Sequence, residues 1–107
     1  MPDSDTLTEI IERIRLRFKP EKIIILSGYG AREATESSDL DLLIVDKTEL
    51  PTKERFPSVS RLLADYHVAF DAIMKTPQEY QRSRSVVNHI VYLADKYGKV
   101  VYERSSP

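Results

Sequence analysis

The chain has 107 residues and a net charge of −1, with 41% hydrophobic and 31% charged side chains. That length holds one modest core and no separate lid or substrate domain, so residues 1–107 are expected to form a single domain. The near-neutral balance excludes a nucleic-acid binder working through a strongly basic chain, and the lack of cysteine excludes a disulfide framework and thiol-ligated zinc.

Met1 to Glu9 is acidic and polar, the reverse of a signal peptide, and no later apolar run approaches membrane-spanning length. A soluble, cytoplasmic protein without a membrane partner is the expectation. Residues 5–18 place Leu7, Ile10, Ile11, Ile14 and Phe18 at three- and four-residue steps, with acids early and arginines late. This predicts an amphipathic helix aligned with its dipole and ended by Pro20. Ile23-Ile24-Ile25-Leu26 is short, apolar and β-branched, which predicts a strand buried on both faces. Ser27-Gly28-Tyr29-Gly30 breaks it, and a short helix or turn is expected over 30–36. Leu40 to Val45 reads as the next strand, 46–54 as a surface loop and 55–65 as a helix with Pro57 near its start. Val68 to Met74 predicts a third strand. Thr76-Pro77 opens a helix, and Val86 to Tyr97 continues helical up to Gly98. Val100-Val101-Tyr102 is a short last strand. Strands alternating with helices predict an α/β fold, a mixed sheet flanked by helices.

Two acids open the second strand. Asp39 and Asp41 stand two residues apart, so on a strand both carboxylates leave the same face, while Leu40 and Leu42 turn into the core. Asp3-Ser4-Asp5 has the same spacing without a strand behind it, and there a solvated terminus or a helix cap suffices. Like carboxylates on one face repel unless a cation neutralises them, and Mg²⁺ shared with substrate phosphates is the usual solution. Asp71, inside the third strand, is a third candidate if the two strands are neighbours. Taken alone, it could equally be paired with a lysine or arginine or lie on an exposed face. The glycine-containing turn 27–30 is of a kind that lets backbone N–H groups approach a phosphate. His67 and His89 lie far apart without metal-ligand spacing, and packing or surface roles are expected. Tyr92, Leu93 and Tyr97 step along a helix as core residues would. Tyr80, Arg82 and Arg84 read as a solvated helix face, and nucleic acid is not an expected partner.

The stretch PEKIIILSGYGAREATESSDLDLLIV, Pro20 to Val45, resembles the minimal nucleotidyltransferases of the DNA-polymerase-β-like superfamily, which include antitoxins paired with HEPN-domain toxins. Those proteins carry a buried strand, Gly-Ser, ten residues, Asp-x-Asp, and a third Asp on a later strand. Here ten residues, Tyr29 to Ser38, precede Asp39. The chain departs from the pattern in order but not in length: Ser27-Gly28 replaces Gly-Ser, and Gly30-Ala31-Arg32 replaces Ala-Arg-Gly.

The resemblance implies a polymerase-β-like palm fold and two-metal, Mg²⁺-dependent nucleotidyl transfer with ATP as substrate. Asp39, Asp41 and Asp71 would be the catalytic and metal-binding acids, and Ser27, Gly28, Arg32 and Ser38 the nucleotide-binding positions. It further implies a protein adenylyltransferase that moves AMP to a hydroxyl acceptor, a tyrosine of a HEPN-domain toxin, and so serves as the antitoxin. The alternative is an antitoxin of weak or no catalysis that blocks its partner by contact. The oligomeric state is left open, a homo-oligomer included.

Overall fold

The computed structural model describes residues 2–26 and 40–104. Helix α1 (Ser4–Phe18) starts on Asp3, whose carboxylate accepts the Thr6 N–H at 2.8 Å. The first D-x-D is therefore a helix cap. The helix closes at Lys19, left-handed at φ 54°, just before Pro20. Strands β1 (Lys22–Ile25), β2 (Leu40–Val45), β3 (Phe70–Lys75) and β4 (Lys99–Glu103) form one sheet in the order β3-β2-β1-β4. β1 runs antiparallel to β2 and β4, whereas β2 and β3 are parallel and joined through helix α2 (Thr52–Leu62). Helices α3 (Pro77–Ser83) and α4 (Ile90–Tyr97) lie between β3 and β4 in the chain. The fold is α/β, a four-stranded mixed sheet flanked by helices.

Both sheet faces are covered, which is why the central strands are apolar apart from Lys22 and Asp41 near their starts. Ile23, Ile25, Leu40, Leu42, Ile44, Ala72 and Met74 pack with Ile10 and Ile14 of α1 and Val59 of α2. On the other face Ile24, Leu43 and Val45 meet Tyr80 of α3 and Val91 and Ala94 of α4, with Leu26 and Ile73 alongside. Leu42, Leu43 and Ile44 are each at most 1% exposed. Three consecutive buried residues in one strand need cover on both sides.

Several boundaries differ from the sequence reading, each for a local reason. The loop expected over 46–54 ends at residue 51, and α2 begins at Thr52. Its first turn is polar and gives no apolar period; its position is held by Arg55, whose Nε–H donates to the Leu50 carbonyl at 3.1 Å. Pro57 therefore sits inside the helix instead of near its start. β3 begins at Phe70, so Asp71 is its second residue and is exposed to water rather than enclosed in mid-strand.

The helix expected to continue through Val86 to Tyr97 is broken. α3 stops at Ser83, Asn88 takes a left-handed φ of 68°, and His89 starts α4 by accepting the Val91 N–H on Nδ1. Asparagine tolerates that conformation, and a capping side chain then restarts the helix. His89 is thus a cap and not a mid-helix residue. The core positions of α4 are Val91 and Ala94; Tyr92 and Leu93 are half-buried and Tyr97 is 44% exposed. The short element expected over 30–36 lies outside the described residues.

Candidate active site

Asp41 and Asp71 are register partners across the parallel β2–β3 pair. The pairing is carried past both strand ends: the Leu40 N–H donates to the Ala69 carbonyl at 3.0 Å and the Asp46 N–H to the Lys75 carbonyl at 2.9 Å. Strand alternation assigns the face. Leu40, Leu42 and Ile44 of β2, with Ala72 and Met74 of β3, go to the α1–α2 side. Asp41 shares the parity of Leu43 and Val45, and Asp71 that of Ile73, so both carboxylates leave the α3–α4 face. Directly opposed residues on neighbouring strands have side chains within about 5 Å of each other.

Asp41 is half-buried and Asp71 exposed. The Ala72 N–H donates to Asp71 Oδ1 at 2.9 Å, which orients the carboxylate. A carboxylate has about four lone-pair sites, so that one bond leaves acceptor capacity for a cation or a proton. The Leu26 N–H donates to the Asp41 carbonyl at 3.0 Å, bringing the end of β1 alongside the same position. Among the described residues no group of three or more His, Asp or Glu side chains is placed to hold a metal ion. Asp39, the third acid of the expected set, lies outside the described residues, as do Ser27, Gly28, Arg32 and Ser38.

Two further polar clusters lie away from this acid pair, and one overturns a sequence expectation: Tyr80, read with Arg82 and Arg84 as a solvated helix face, is 3% exposed and packs in the α3–α4 core. Arg55 is 8% exposed and reaches three acceptors on three different segments: the Leu50 carbonyl (3.1 Å), the Met74 carbonyl (3.1 Å) and Glu79 Oε1 (2.7 Å). Glu79 also closes a capping box with Thr76, and Arg55 and the Thr76 N–H together hold its carboxyl at about 2, well below the usual glutamate range. The capping box was legible as T-x-x-E from Thr76 to Glu79; the arginine, on a polar helix start, carried no such signal. On the α3–α4 side the Tyr80 hydroxyl donates to Asp95 Oδ1 at 2.5 Å, and Arg84 pairs with Asp95 at 3.2 Å. Burial, then the Asp95 contact, pushes the Tyr80 phenol up. This cluster joins α3 to α4. Asp46, 9% exposed, follows β2 at the end far from Asp41; burial pushes its carboxyl up, and Arg104 partly offsets that.

No family model and no solved structure matches the chain. One relative does: protein adenylyltransferase MntA of Thermococcus cleftensis is 31% identical over 88 residues, which are 81% of this chain and 88% of the relative. The aligned length takes in most of both chains, so the similarity concerns the domain as a whole, and this chain belongs to the minimal nucleotidyltransferase family.

Proposed function

We propose that the chain is a Mg²⁺-dependent protein adenylyltransferase that moves AMP from ATP to a tyrosine hydroxyl of a HEPN-domain partner, and so acts as its antitoxin. The observation that carries the reading is the in-register pairing of Asp41 with Asp71 on one sheet face. The relative's printed name supports the transfer of an adenylyl group.

The donor set suits Mg²⁺. Hard carboxylate oxygens, two of them from strands fixed side by side, match a cation that takes one or two carboxylates and completes its shell with phosphate oxygens and water. Asp39, Asp41 and Asp71 are the residues that would hold it, and when bound it neutralises the charge of the acids and of the ATP phosphates. In the reaction the acceptor oxygen attacks the α-phosphorus of ATP. A P–O bond to the acceptor forms, the bond to the bridging oxygen breaks, and pyrophosphate leaves with that electron pair. Asp71, exposed and oriented by the Ala72 N–H, accepts the hydroxyl proton on its remaining oxygen. Ser27, Gly28, Arg32 and Ser38 are assigned to the triphosphate.

The order Ser27-Gly28 favours a second reading, an antitoxin that blocks its partner by contact alone. The two separate in one experiment. The chain is incubated with ATP, Mg²⁺ and a HEPN-domain protein, and that partner is weighed by intact mass spectrometry. A gain of one AMP is expected, lowered by about 10²-fold or more in rate by Asp71→Asn or Asp41→Asn. No gain from the native chain, with the partner still silenced by a chain carrying both substitutions, would replace transfer with the contact reading.

A further inference from the structure

The placement of Arg55 has a consequence for the acid pair. Among the described residues β3 is an edge strand, held by β2 on one side only. A slip of one residue along that single partner would carry Asp71 to the opposite face, because side chains alternate. Parallel pairing has no tight hairpin to set its register; here the connection is the whole of α2 and its flanking loops. The Lys75 carbonyl points toward β2, where it accepts the Asp46 N–H, so the Met74 carbonyl points to the open side. That open side is where Arg55 binds. Its Nη1 donates to the Met74 carbonyl and to Glu79 Oε1, and its Nε to the Leu50 carbonyl. One planar guanidinium thus ties the outer edge of β3 to the loop after β2 and to the cap of α3. The fork has a fixed geometry, so the three acceptors are held relative to one another, which a lysine could not do.

We infer that Arg55 is a positioning residue for the proposed adenylyl transfer: it locks β3 in register on β2 and so keeps Asp71 opposite Asp41. The inference rests on the reading of that acid pair as the reaction site, and its test separates the two. The chain lacks cysteine, so the doubly substituted chain Asp41→Cys/Asp71→Cys offers a bifunctional thiol cross-linker of about 5 Å span only the two positions of interest. The cross-linking rate under native conditions reports their juxtaposition without any activity. Adding Arg55→Leu is expected to slow cross-linking about tenfold at matched folded fraction, the scale set by a lost charged hydrogen bond. In chains that keep both aspartates, Arg55→Leu is expected to lower kcat for transfer while KM for ATP moves by less than about twofold.

A lower melting temperature with unchanged cross-linking and unchanged kcat would overturn the inference, since it would leave Arg55 a packing residue only. If Arg55→Leu yields too little folded protein, Arg55→Lys decides, because it keeps the charge and the stem but lacks the fork that reaches all three acceptors. Slower cross-linking in that variant supports the inference, and an unchanged rate overturns it. If the native chain transfers no AMP, the functional reading fails, and the cross-linking arm still decides whether Arg55 sets the register.

Discussion

Asp71 and Asp3 are both aspartates close to the start of a regular element, and the difference between them lies in their neighbours. Asp3 spends its carboxylate on the Thr6 N–H and caps a helix. Asp71 is oriented by its own strand, through the Ala72 N–H, and faces the position of Asp41 on the next strand. The same residue-scale logic applies to residues 27–30, the segment proposed to bind phosphate. In the family pattern the serine follows the glycine, whereas this chain reads Ser27-Gly28. If the hydroxyl contributes a charge-assisted hydrogen bond to phosphate, the paired change Ser27→Gly and Gly28→Ser should tighten ATP binding. About 1.5–3 kcal/mol is at stake, or roughly tenfold or more in affinity. Titration of ATP with Mg²⁺ into both versions checks it, and equal affinities would mean that the turn holds phosphate through its backbone.

At the scale of elements, α3 is held at its start by a charged network whose pH dependence can be worked out. The Glu79 carboxyl sits at about 2 in the folded chain against an ordinary 4.5, chiefly because Arg55 bonds its charged form. A depressed folded value means that the stabilisation is fully present above the unfolded value and is lost as pH falls through the window from 4.5 toward 2. The urea midpoint of the native chain should therefore fall over that window more steeply than that of Glu79→Gln. Parallel pH profiles would show that the pair contributes nothing to folding.

The junction of α4 and β4 gives a second element-scale test. Gly98 closes α4 with an ordinary extended backbone, φ −74°, so its conformation needs no glycine. The space does: a Cβ there would press into the Ile24 side chain and stand 2.6 Å from the Ala94 carbonyl oxygen. Gly98→Ala should cost about 1–3 kcal/mol by overpacking, read from urea unfolding. A loss below about 0.5 kcal/mol would mean that β1 and α4 relax apart freely.

For the whole molecule, the two apolar layers share β1 and β2, since Ile23 and Ile25 belong to one and Ile24 to the other. Neither layer can be lost without exposing the strands that support the second. Far-UV circular dichroism and tyrosine fluorescence should therefore report coincident unfolding transitions, as expected of one cooperative domain. Separate midpoints would divide the chain into two units. Among the described residues no helix is long and apolar enough to cross a membrane.

Local order in the sequence determined a good part of this protein. The helix from Asp3, the buried triplet of β1, the span of β2, and the cap and proline at the start of α3 all follow from short-range periodicity and hydrogen bonding, and these need only a few neighbouring residues. Asp41 falls on β2 as its place before an apolar run implied, while Asp39 lies outside the described residues. The break at Asn88 is local as well, a left-handed residue followed by a histidine cap, but it is hidden by an otherwise helical pattern. Two features were decided by tertiary structure. The early start of α2 depends on Arg55, whose acceptors lie on the loop before it, on β3 and on α3. The meeting of Asp41 with Asp71 is a matter of strand order and register, set by backbone pairing between segments thirty residues apart. Periodicity says which face a side chain takes along its own strand, but only the pairing of strands says which side chain stands beside it.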